Sequence, residues 1–303
     1  MTTLPTGSGT PPAPGGLARW VVGARPRTLA SAVTPVCVGT AIGRWSTGAP
    51  VFWWRAGGAL CVALAIQIGT NYANDYADGV RGTDEGRVGP RRLVASGLAS
   101  PRAVALAAAA SFAVAGFVGL ALAATTTWWL LLVGAASVAA GWLYTGGPRP
   151  YGYLGLGEPF VFVFFGLVAT MGSAYLQAGR VTLVSLAAAV PVGFVTTALL
   201  EANNLRDREG DAAAGKRTLA VRLGGDRARW LYVGALGAGA LGIAALAVRR
   251  PVALIALGAL AIGLPSIRRV LGGAQGKDLL PVLAATGRIQ IALGALLVVG
   301  ILV

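Results

Sequence analysis

Histidine is absent from the 303 residues, and with it the side chain that most often serves as a general base near neutral pH and as a zinc ligand. Cysteine is nearly absent too. Cys37 and Cys61 are the two present, both inside apolar stretches, so neither a disulfide framework nor a Cys-x-x-Cys metal site is available. Both read as small buried side chains. Charge is scarce: 12% of residues are charged and 55% hydrophobic, whereas an ordinary soluble domain carries about 25% charged residues. Any chemistry here has to run on carboxylates, amides, cations and phenols.

Lipid is the solvent this composition suits. Apolar stretches, most of them about as long as a bilayer is thick, recur at 28–43, 53–71, 103–123, 128–144, 159–177, 181–203, 230–248, 252–267 and 283–303. Ala, Gly and Leu dominate them without period-two alternation, which argues against a β-barrel. They predict an all-α membrane protein, a bundle of nine transmembrane helices packed through small residues. Residues 1–16, rich in Thr, Pro and Gly, have neither a basic start nor an apolar core. They read as a disordered cytoplasmic tail rather than a signal peptide, leaving a single membrane domain over 17–303.

The formal charge of +14 does not point to nucleic acid, because the basic residues form no continuous stripe interleaved with aromatics. Anionic lipid headgroups or an anionic substrate fit them better. With the N-terminus inside, only Arg44, Arg55, Arg180, Arg249 and Arg250 fall outside, and the positive-inside rule then places the other end in the cytoplasm. All 11 acidic residues also fall at that cytoplasmic end. Acids contribute little to orientation, so their clustering points to a site.

Two segments carry most of these acids. The first, at the end of the second stretch, presents Asn71, Asn74, Asp75 and Asp78; the second, at the end of the sixth, presents Asn203, Asp207 and Asp211. Continued helix would set Asn71, Asp75 and Asp78 on one face, and Asn203, Asp207 and Asp211 on another, by three- and four-residue spacing. Cations follow each: Arg87, Arg91 and Arg92 after the first, Lys216 and Arg217 after the second. The interval suggests a weak repeat, the first four helices against the next four, with helix nine appended and a site between the halves. Mg²⁺ is usually held by one or two carboxylates together with substrate phosphates, and Lys and Arg bind phosphate directly. A magnesium-bridged diphosphate therefore suits the pair. The plainer reading is two solvated loops in which acids and bases pair.

Asn74-Asp75-Tyr76-Ala77-Asp78 and the run from Asn203 to Asp211 resemble the two aspartate-rich motifs of the UbiA-type membrane prenyltransferase superfamily. The continuation from Asp78 through Pro90, and Tyr144-Thr145-Gly146-Gly147-Pro148-Arg149-Pro150 followed by Gly155-Leu156-Gly157-Glu158, resemble its menaquinone branch, whose members prenylate 1,4-dihydroxy-2-naphthoate. The resemblance spans about residue 20 to the C-terminus. It implies cytoplasmic cap loops around a central cavity, a polyprenyl diphosphate and an aromatic acid as substrates, two Mg²⁺ ions bridged by diphosphate, and loss of carbon dioxide from the acceptor.

By residue, it implies metal-diphosphate binding by Asn74, Asp78, Asp207 and Asp211, supported by Asn71, Asp75 and Asn203. It implies phosphate contacts from Arg87, Arg92, Lys216 and Arg217. Arg149 would meet the acceptor carboxylate or the diphosphate, or be an ordinary cytoplasmic charge. Tyr144 and Tyr151 would line the reactive pocket or belong to the interfacial aromatic belt. Glu158 would orient the acceptor or complement a helix dipole. Other aromatic acceptors, 4-hydroxybenzoate or homogentisate, remain open, as does a cation or proton-coupled transporter built on paired acids.

Overall fold

The computed structural model describes residues 15–83 and 91–303. Most of the expected tail, Asp84, Glu85 and the candidate phosphate ligand Arg87 lie outside the described residues. Among the described residues there is no strand. In chain order the helices are α1 (Ala18–Ala24), α2 (Ala30–Thr47), α3 (Trp53–Arg81), α4 (Pro101–Ala124), α5 (Trp129–Leu143), α6 (Gly157–Val161), α7 (Ala169–Ala178), α8 (Leu183–Ala213), α9 (Leu219–Ala247), α10 (Leu257–Ala261), α11 (Leu264–Leu271) and α12 (Leu280–Leu302). A π-helical turn, Phe162–Val168, fuses α6 to α7.

Each predicted stretch falls on helical structure. By length and apolarity, six helices among the described residues can cross a membrane: α3, α4, the fused unit Gly157–Ala178, α8, α9 and the C-terminal Gly276–Leu302. A seventh is added if Pro251–Ala261 and α11, bent by 47°, count as one broken span. The other two predicted stretches fall short for local reasons. Helix α5 has only 15 residues, and α2 is diluted by Ser31, Thr34, Thr40, Arg44, Ser46 and Thr47.

Local chemistry sets the ends of the elements that matter for the site. Thr182 and Ser185 form a reciprocal capping box at the start of α8, and Gly82, at φ 70°, closes α3 in the left-handed region. Between these signals nothing breaks the helix at the apolar-to-polar boundary. Helices α3 and α8, of 29 and 31 residues, therefore run on past their apolar stretches and carry the acidic segments on helical backbone.

Packing is close where side chains vanish. A Cβ at Gly39 of α2 would sit 2.2 Å from the Thr170 carbonyl oxygen, and one at Gly166 would sit 2.4 Å from the Cα of Gly193. Only glycine allows α2 to meet α7, and the π-turn to meet α8, at these distances. Buried hydrogen bonds add to the packing: Gln290 of α12 donates to Thr196 of α8 at 2.8 Å and accepts from Ser31 of α2 at 3.2 Å. The largest buried apolar cluster lies among α8, α9 and α12, around Tyr232, Ile243, Leu246, Ile289, Leu293 and Leu297. On the outside, Phe117 of α4 and Trp129 and Leu132 of α5 are exposed, as a lipid-facing surface requires. Cys37 is also exposed and Cys61 half-buried, which corrects the expectation of two buried cysteines: their helices were assigned correctly, but an apolar helix facing lipid need not bury its small side chains.

Candidate active site

One cavity of about 2250 Å³ receives the C-terminal ends of both α3 and α8. From α3 it takes Asn71, Asn74 and Asp78, and from α8 Asn203, Asn204, Asp207 and Asp211. Asp78 is 2% exposed and fully engaged. Its Oδ1 accepts the Tyr153 hydroxyl at 2.7 Å, while Oδ2 lies 3.1 Å from Lys216 Nζ and 3.9 Å from an Arg92 guanidinium nitrogen. Lys216 also lies 4.0 Å from Asp211, so one buried ammonium joins the two acidic segments, 133 positions apart in sequence if counted from Asp78 to Asp211 (211 − 78). Asp207 takes a two-pronged grip from its neighbour Arg206, with Nε at 2.7 Å and Nη2 at 2.6 Å. Buried charges need such partners, since an unpaired one is strongly destabilising.

The amides are ordered in the same way. Asn74 Oδ1 accepts the Thr145 hydroxyl at 2.7 Å. Asn71 donates to the Ala24 carbonyl at 2.9 Å and to the Thr28 hydroxyl at 3.2 Å, tying α3 to the α1–α2 connection. Asn203 donates to the Leu199 carbonyl of its own helix at 3.2 Å.

The loop between α5 and α6 closes one side. Tyr153 sits with Lys216 Nζ 4.9 Å and the Arg81 guanidinium 5.4 Å from its ring centroid. Burial, and then the charge of Asp78, push its hydroxyl above the ordinary phenol range, so it remains a donor to Asp78 well into alkaline conditions. Tyr144 and Tyr151 both line the cavity; their centroids are 5.5 Å apart, and Tyr151 stacks on Phe160 at 4.0 Å. Away from this polar end the wall turns apolar, through Val62, Ile66, Leu122, Leu130, Phe164 and Leu176.

Four predicted contacts are not brought to the cavity. Asp75 was expected beside Asp78, but its two oxygens accept the backbone N–H groups of Leu93 (2.8 Å) and Val94 (3.0 Å). It sits at the edge of the face shared by Asn71, Asn74 and Asp78, and the chain returning from α3 takes it. Arg149 and Arg217 are exposed; the backbone N–H of Arg217 instead holds the Tyr153 carbonyl at 3.0 Å. Glu158 is buried between α6 and α8, against Asn204. Conversely, Thr145, Tyr153, Asn204 and Arg206 line the cavity although sequence reasoning passed over them as site residues. Asn204 and Arg206 stood inside the second motif, where spacing did signal proximity. Thr145 and Tyr153 stand in an irregular loop, where no periodicity points.

The donors suit Mg²⁺. Asn74, Asp78, Asp207 and Asp211 offer hard oxygens, and among the described residues no three His, Cys, Asp or Glu side chains converge into an all-protein cage. An ion that keeps waters and completes its shell with phosphate oxygens needs no such cage.

A charged, amide-lined head opening into an apolar channel within a helical bundle defines a membrane-embedded site for an amphiphile with an anionic head and a hydrocarbon tail. Residues 32–300 match the UbiA prenyltransferase family, and the chain belongs to it. It is 50% identical to the 1,4-dihydroxy-2-naphthoate octaprenyltransferase of Mycobacterium tuberculosis over 270 residues, covering 89% of this chain and 92% of that protein. It is 38% identical to the protein of the same name from Escherichia coli, over 69% and 70% of the two chains. In fold it resembles a UbiA homolog from Archaeoglobus fulgidus bound to GPP and Mg²⁺, with a TM-score of 0.69 at 16% identity over 93% and 99% of the chains. It also resembles the apo UbiA homolog from Aeropyrum pernix K1, with a TM-score of 0.72 at 17% identity over 90% and 97%.

Proposed function

We infer that this integral membrane protein transfers a polyprenyl group from its diphosphate to 1,4-dihydroxy-2-naphthoate, in menaquinone synthesis. The observation that carries the reading is the buried Asp78–Lys216–Asp211 bridge, which brings both acidic segments within reach of one diphosphate. The relatives named for the same reaction support the acceptor.

Asn74, Asp78, Asp207 and Asp211 would hold Mg²⁺ together with diphosphate oxygens, and three carboxylates on two helices favour two ions over one. Lys216, Arg92 and Arg206 rest on these acids, from where they can turn to the phosphates. Bound Mg²⁺ supplies Lewis acidity to the departing diphosphate oxygens. Tyr144 and Tyr151 present aromatic faces to positive charge growing on the allylic carbon, and the apolar channel keeps out water that would capture it. The electron-rich ring carbon bearing the carboxylate then attacks, and loss of carbon dioxide restores aromaticity. The grouping of acids and their basic partners at one end of α3 and α8 supports a cytoplasmic site, and the helical character of all nine apolar stretches supports nine crossings.

Asp78→Ala and Asp207→Ala are expected to lower kcat by roughly a hundredfold or more while the protein still inserts and purifies. Prenyl transfer read by product mass checks this; near-wild-type turnover in either variant sinks the clamp. Full activity in EDTA would sink the metal.

A further inference from the structure

One buried acidic pair takes no part in that scheme. Glu158, opening α6, and Glu201, in α8, are 4% and 0% exposed. Glu158 Oε1 accepts the Asn204 side-chain N–H at 2.7 Å. Its other oxygen and both oxygens of Glu201 have no N–H or O–H donor among the described residues, and the two carboxyl groups lie within hydrogen-bonding reach of each other. The Glu158–Asn204 hydrogen bond ties α6 to α8 at this point, with Glu201 packed beside Glu158.

Neither glutamate lines the cavity, but Asn204 does, and so do Tyr144, Phe160 and Leu200 around it. Gly157, beside Glu158, packs against Tyr144 and Leu200, so the pair lies directly behind the aromatic part of the wall. We propose that Asn204 is a specificity-determining residue for the aromatic acceptor: with its amide nitrogen committed to Glu158, its carbonyl oxygen faces the cavity and accepts a ring hydroxyl. The Glu158–Glu201 pair is the positioning device that sets this orientation. Without Glu158 the amide is free to flip and present a donor where the hydroxyl needs an acceptor.

The inference rests on the prenyl-transfer reading, and steady-state kinetics in detergent micelles separate the two. The substrates are 1,4-dihydroxy-2-naphthoate and geranyl diphosphate with Mg²⁺, and each KM is measured separately. Asn204→Ala and Glu158→Ala are expected to raise the acceptor KM about tenfold, the effect of one lost hydrogen bond, with the KM for geranyl diphosphate within about twofold of wild type. Glu158→Gln, whose carbonyl still accepts from Asn204 and whose amide donates to Glu201, is expected to recover most of that loss. A wild-type protein without turnover would sink the functional reading and this inference with it. An active wild type in which the two alanine variants raise both KM values alike, or leave the acceptor KM within twofold, would overturn this inference alone. So would a collapse of kcat in Glu158→Gln at unchanged acceptor KM, because an amide can replace a positioning carboxylate but not a reacting base. If Glu158→Ala fails to purify as a monodisperse species, Asn204→Ala and Glu158→Gln decide by the same criteria.

Discussion

At the scale of single residues, two aspartates three positions apart have different jobs. Asp78 faces the cavity and holds Lys216; Asp75 faces the returning chain and holds the N–H groups of Leu93 and Val94. Removing Asp75 leaves two backbone donors without their carboxylate, a local cost on the order of 1–3 kcal/mol, and loosens the neighbouring Arg92. Asp75→Ala is therefore expected to raise the KM for the prenyl diphosphate several-fold and to lower the thermal midpoint, with kcat largely kept. A loss of kcat as deep as that of Asp78→Ala, at unchanged KM, would make Asp75 a ligand after all. Spacing could not separate the two, because neighbours three and four positions on along a helix share a face and only the packed loop claims one of them. The same holds for Arg149 and Arg217: charge and motif placed them near the site, but the loop backbone turns both side chains to the surface.

At the scale of elements, the helix pairs are held by absence of side chain. Gly39 meets the Thr170 carbonyl, and Gly166 meets the Cα of Gly193, so the added atom in either case collides with backbone rather than with a side chain that can swing away. Gly39→Val and Gly166→Val are expected to lower the thermal midpoint by several degrees and to broaden the size-exclusion peak, while Gly116→Ala, whose Cβ would meet open space, serves as the control. Equal midpoints for all three would mean that these helices separate without cost. Abundant Gly and Ala announced close packing of this kind. Which glycines serve it depends on which helices cross, and that is a tertiary fact. The element ends were more legible, since the Thr182–Ser185 box and Gly82 are local signals.

At the scale of the whole molecule, the ends of α3 and α8 bring Asp78, Asp207 and Asp211 to the cavity head with Arg92, Arg206 and Lys216, and exposed apolar side chains such as Phe117, Trp129 and Leu132 form a lipid-facing surface. The proposed orientation makes a direct prediction. In a variant with Cys37 and Cys61 replaced by Ala, a single cysteine at exposed position Arg217 is expected to react with a membrane-impermeant maleimide only in inverted vesicles, and one at exposed Arg249 only in right-side-out cells. The opposite pattern would invert the molecule and place the site outside.

Membrane residence, helical class and the presence of two matched acidic segments were settled by composition and spacing alone, because apolar length and helical periodicity are local properties of the chain. Convergence was not. That Lys216 bridges Asp78 and Asp211, that Asp75 leaves the site, and that Glu158 joins Glu201 behind Asn204 depend on contacts between residues far apart in the chain. Such contacts exist only once α3, the α5–α6 loop and α8 are packed together, since side chains distant in sequence acquire defined partners only through the fold.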